Sequence, residues 1–129
     1  MNKIVQLKDR KGKIYPKIYE SGTDGDWKWE KYPDGKAICY GTFSKSVLVT
    51  SQWGNQYTGV FGIINFPKDL FVDVPITFSK AIGGFSCWLI ASGSTVTKTS
   101  TENIACVRPN SLASTSVTIN YLAIGRWKN

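Results

Sequence analysis

The chain has 129 residues, 42% hydrophobic and 13% aromatic, which fits one globular domain and excludes a disordered tail. Sixteen Lys and Arg stand against nine Asp and Glu, a net charge of +7, and there is no histidine. The missing imidazole excludes a Ser-His or Cys-His nucleophile within one chain and removes the commonest metal ligand.

Residues 1–20 hold six basic and two acidic side chains and read as an extended, basic lead-in, with Asp9-Arg10-Lys11-Gly12 as a turn and alternation over 13–19. Charges fall where a signal peptide would be apolar, so no secretory leader is expected. From residue 21 to 129 the chain reads as one β domain. Ser21–Asp26 (SGTDGD) is a loop of turn formers. Trp27–Tyr32 alternates, Trp27 and Trp29 on one face and Lys28 and Glu30 on the other. Pro33-Asp34-Gly35 turns the chain, and Lys36–Phe43 returns as the second arm of a hairpin. Trp27 and Trp29 are expected in the core or at a subunit interface.

Ser46–Gln52 and Tyr57–Phe66 are the next strands, joined by Trp53-Gly54-Asn55-Gln56. Pro67 and Pro75 bracket an edge or bend, and Ile76–Ser79 is a short strand. Phe85–Ala91 is apolar on both faces, as a central strand is, which places Trp88 in the core. Residues 95–101 are a thin polar strand or loop, and Glu102–Arg108 is a further strand. Ser116–Trp127 is the clearest long strand, with Val117, Ile119, Tyr121 and Ala123 on one face and Ser116, Thr118 and Asn120 on the other. The pattern predicts an all-β fold, an antiparallel β-sandwich with little or no helix.

Chemistry-bearing groups are few. Cys39, Cys87 and Cys106 lack CxxC spacing and are expected as free thiols in strands, not as a disulfide framework or zinc site. Asp24 and Asp26 lack the bidentate Glu of a calcium loop, and Asp69 and Asp73 read as solvated surface, not a hydrolytic pair. No phosphate-binding loop is present, so no metal and no cofactor is expected. The basic excess is not spread along a groove or helix, which argues against nucleic acid, and no apolar run reaches the roughly 18 residues of a membrane span. The best ligand chemistry is in one loop. Trp53 and Tyr57 offer stacking faces for a sugar, Asn55 and Gln56 offer paired donors and acceptors, and Gly54 admits close approach.

Four segments carry a resemblance. GDWKWEKYPDGKAICYGTF (25–43) resembles a hairpin of tail proteins of phages infecting Gram-positive bacteria, in which an aromatic-x-aromatic strand meets a turn and a strand ending in an aromatic. YLAIGRWKN (121–129) resembles their terminal strand. Val74–Ser79 (VPITFS) is similar to a Pro-containing segment before their central strand, and VQLKDRKGKIYP (5–16) to the stretch that joins tail-fibre modules. Together these cover well under half of the chain, in the expected order.

The resemblance implies the head domain of a tail-fibre or receptor-binding protein. Such a head is a jelly-roll or H-type-lectin-like sandwich, homotrimeric about the fibre axis and carried on the virion after synthesis in the bacterial cytoplasm. Its partners are other tail or baseplate proteins and a host surface saccharide or anionic wall polymer. Ile14, Tyr15, Ile18 and the Trp27–Trp29 face are expected at the trimer interface. Two other functions fit the residues less well: a soluble H-type-like bacterial lectin, and a tail-associated glycan-degrading enzyme, against which the missing histidine counts.

Overall fold

A computed structural model describes residues 18–129 and, for backbone pairing alone, Leu7–Lys8 and Ile14–Tyr15. Strands β1 (Leu7–Lys8) and β2 (Ile14–Tyr15) pair antiparallel, Leu7 opposite Tyr15. The expected turn at 9–12, and the interface roles expected of Ile14 and Tyr15, lie outside the described residues.

No helix occurs among the described residues; the fold is two antiparallel sheets around one core. The five-stranded sheet has the spatial order β3 (Glu20–Asp24), β4 (Trp27–Lys31), β5 (Lys36–Val49), β11 (Leu112–Arg126), β8 (Ile76–Gly83). The four-stranded sheet runs β6 (Ser51–Trp53), β7 (Gln56–Gly62), β10 (Ile104–Arg108), β9 (Trp88–Ala91). Alternation dictates what each face buries. Val117, Ile119, Tyr121 and Ala123 of β11 are all buried, beside Ala37, Cys39, Val47 and Val49 of β5. Phe61, Ile104 and Cys106 close the core from the other sheet.

The Trp27 ring, 4% exposed, lies edge-on to Phe43 and Tyr121 at centroid distances of 4.7 and 5.9 Å. Its Nε1 donates to the Asn65 carbonyl at 2.7 Å, satisfying the one polar atom that burial would otherwise strand. The far end of the chain is fastened alongside. Trp127 Nε1 donates to the Tyr32 carbonyl at 2.7 Å, and its ring stacks on Tyr19 at 5.1 Å.

Several expectations change. Lys36–Val49 is one unbroken strand, because Ser44 and Lys45 continue the ladder, paired with Thr118 and Val117 of β11. Ile76 begins an eight-residue strand that runs on to Gly83. The 85–91 run is not central: only Trp88–Ala91 is a strand, at a sheet edge, and Trp88 is 60% exposed. Leu89 takes the core-facing position opposite Cys106, so Trp88 lies on the other face of its strand. The central strand is β10, where Ile104, Ala105, Cys106 and Val107 are all buried. Residues 63–75 form no strand, yet Phe66, Leu70 and Phe71 turn inward and are buried. The Trp27–Trp29 face also turns inward, with Trp27 buried in the core and Trp29 half-buried against it.

Candidate functional site

The outer face of the five-stranded sheet carries rows of side chains set by the strand register. One row reads Thr23, Lys28, Tyr40, Leu122, Phe78 across β3, β4, β5, β11 and β8. The next pairs Thr42 with Asn120 and Asn120 with Lys80. Between the rows lies an open groove of about 710 Å³. Tyr40 and Phe78 stand on either side of Leu122, two strand spacings or roughly 9–10 Å apart. Phe78 is 59% exposed and Tyr40 also lies in solvent.

The polar groups of the groove are arranged by their neighbours. Thr42 Oγ1 donates to Asn120 Oδ1 at 2.8 Å, which fixes the amide and leaves its NH₂ to face outward as a donor. Lys28 and Lys80 stand at opposite sides of the groove, and Asp26 is the carboxylate in its lining. Gly41 explains how aromatic Tyr40 sits over an aromatic interior. A Cβ on Gly41 would meet the Asp26 carbonyl at 2.7 Å and the Phe43 ring at 2.8 Å, so the strand approaches these groups only without a side chain.

The loop singled out by sequence is a tight hairpin turn on the other sheet. Trp53 pairs with Gln56, and Gly54 has φ +62°, a left-handed value that suits glycine. Trp53 is 59% exposed and Asn55 lies in solvent. Gln56 is half-buried, its Oε1 without a hydrogen-bond partner, and Tyr57 is half-buried against the core. Of the four residues, Trp53 and Asn55 are the ones displayed.

The carboxylates have local structural work. Asp24 Oδ2 accepts the Lys68 N–H at 3.0 Å, and Asp34 Oδ1 accepts the Lys36 N–H at 2.9 Å in the first hairpin. No cluster of three or more His, Cys, Asp or Glu side chains suited to a metal occurs among the described residues. The three cysteines are free. Burial pushes Cys39 and Cys106 up to about 12, which keeps both thiols protonated and unreactive at neutral pH. Tyr121 is also held above its ordinary value, chiefly by burial, and its hydroxyl donates to Glu102 Oε1 at 2.7 Å.

Sequence reasoning placed Asn120 on the outward face of the last strand and Lys28 on that of the first hairpin but assigned neither to a site. It missed Tyr40, Phe78 and Lys80. The available signal was a break in pattern: β5 and β11 alternate cleanly, yet Ile38, Tyr40, Leu122 and Ile124 put apolar groups on the outward face. Knowing that these four share one patch requires the β5–β11 register, which sequence alone does not supply. Compared with known proteins, the chain matches no protein-family model, no curated protein and no solved structure.

Proposed function

We propose that this chain is a non-catalytic binding head of a phage or prophage tail that holds a host-surface saccharide or anionic wall polymer in the groove on its five-stranded sheet. The observation that carries the reading is the pairing of two outward aromatic faces, Tyr40 and Phe78, with an oriented amide at Asn120. Sugars present C–H faces that stack on aromatic rings and hydroxyls that accept from amides; a groove with both on rigid strands fits a saccharide. Lys28 and Lys80 favour an anionic polymer, whose binding salt would screen. Assignment to a phage tail rests on the four resembling segments. Catalysis is disfavoured because hydrolysis of a glycosidic bond needs a pair of carboxyl groups across the bond, and Asp26 stands alone in the lining.

The test is binding of the purified protein to host cells and to isolated wall saccharides at low and high salt. Tyr40→Ala and Asn120→Ala are compared with Trp53→Ala, each at unchanged melting temperature. The groove reading expects the first two variants to lose about tenfold or more in affinity, with loss of one stacked ring worth roughly 0.5–1.5 kcal/mol beyond area, and Trp53→Ala to bind like the parent. Loss confined to Trp53→Ala would move the site to the 53–57 turn. Absence of all binding, or release of new reducing ends from the wall, would overturn the function itself.

A further inference from the structure

The outer face of the four-stranded sheet carries two rows of side chains set by the register. One reads Ser51, Thr58, Val107, Trp88 across β6, β7, β10 and β9. The next reads Val60, Ala105, Ile90 across β7, β10 and β9. Both lie on the regular side of the register shift between Ile104 and Ala105. No residue of either row is charged. Trp88 is 60% exposed and Val60 58%. Ala105 and Val107 are buried, yet neither belongs to the core cluster that Ile104 and Cys106 join from the same strand. Beside these rows Gln56 Oε1 is buried without a hydrogen-bond partner among the described residues, an acceptor open to a donor from a second chain.

Aromatic and aliphatic groups without a charge are the composition of an interface core. The occupant that suits this face is another copy of the chain. At +7 the chain repels its own copies, so they meet best where neither presents a charge. The opposite sheet offers no such surface. Lys28, Glu30 and Lys80 stand on its outer face, and a groove that binds saccharide has to stay open.

We infer that three copies of the chain assemble with these faces turned inward about one axis that runs along the strands. The number three rests on the tail-head reading above, and the choice of face on the two rows. Four strands about 4.8 Å apart make a face roughly 19 Å wide; three such faces close a triangular prism whose walls stand about 5–6 Å from the axis, half the roughly 10 Å at which sheets pack. Thr58, Val60, Ala105 and Val107, on the two middle strands, are small enough to meet at that depth. Rotation about the axis keeps each row at one height. Trp88, at one end of its row, therefore comes beside Ser51, at the other end of the same row, in the next copy. The largest side chain of the row meets the smallest. Trp53, beyond both rows in the 53–57 turn, is left at the rim, where contacts contribute little. The three saccharide grooves then face away from the axis.

The experiment is sedimentation equilibrium or light scattering across micromolar concentrations, without ligand. The full chain is expected to approach three times its 14.3 kDa mass. Trp88→Ser is expected to weaken assembly at least tenfold. Ser51→Arg, on an exposed three-residue edge strand where the fold tolerates a long side chain, is expected to do the same by placing a charge beside Trp88 of the next copy. Ile76→Ser, 67% exposed on the other sheet, is expected to leave the mass unchanged. A parent that stays monomeric, as when residues 1–17 or nothing covers the face, would overturn the inference. So would a dimer, a trimer indifferent to both Trp88→Ser and Ser51→Arg, or dissociation by Ile76→Ser. Calorimetry with a soluble wall saccharide separates this from the groove reading. The dissociated Ser51→Arg chain is expected to keep the parent's affinity per site. A trimer that binds no saccharide refutes the groove alone, and a monomer that binds it refutes the assembly alone.

Discussion

Thr101 is the one buried polar residue among those described, 1% exposed, and it holds the loop over the core in place. Its Oγ1 accepts the Ile64 N–H at 2.9 Å and donates to the Glu102 carbonyl at 2.8 Å, and its own N–H donates to the Ile64 carbonyl at 2.9 Å. Asn65, next in the chain, accepts the Trp27 indole N–H and bridges to Ser100. Thr101→Val keeps the shape and leaves no cavity, so its cost isolates the hydroxyl. Stranding a part-buried backbone N–H costs about 1–3 kcal/mol, and we take roughly 2 kcal/mol. Unfolding entropy of about 2.1 cal/mol/K per residue gives roughly 0.27 kcal/mol/K for this chain, hence a fall of about 7 °C in Tm. Thr101→Ser keeps both hydroxyl bonds and loses one buried methyl, about 1 kcal/mol or roughly 4 °C. Calorimetry on the three proteins decides the order, and the Ile64 amide should exchange faster in the valine variant alone. If Thr101→Val is as stable as Thr101→Ser, or more so, the hydroxyl does not pin this loop and the argument fails.

Alkaline pH should destabilise the fold, because Cys39 rises from an ordinary thiol value of 9.0 to about 12 by burial. The protonated thiol is favoured in the folded chain, so this contribution is whole below about pH 9 and is lost as pH climbs toward 12, at up to about 1.4 kcal/mol per pH unit per thiol. Urea midpoints at about pH 8 and pH 10.5 should fall more for the parent than for Cys39→Ala; equal falls would refute this. Gly41→Ala should cost about 1–3 kcal/mol through overpacking against the Asp26 carbonyl and the Phe43 ring, and an unchanged Tm would show that the strand relaxes freely.

Alternation was legible wherever one face is fully covered. The four inward residues of β11 and the Trp27–Trp29 face follow from period two alone, as does the hairpin around Pro33-Asp34-Gly35, whose third residue takes φ +98°. Trp88 was misplaced for a physical reason. A run apolar on both sides reads the same in a central strand and in an edge strand whose outer face is bare, and neighbours brought in from elsewhere in the chain decide between them. Phe66, Leu70 and Phe71 escaped because an irregular segment has no period to betray which side chains turn inward. The groove escaped because it depends on β8 lying beside β11, a pairing of residues some forty positions apart in the sequence.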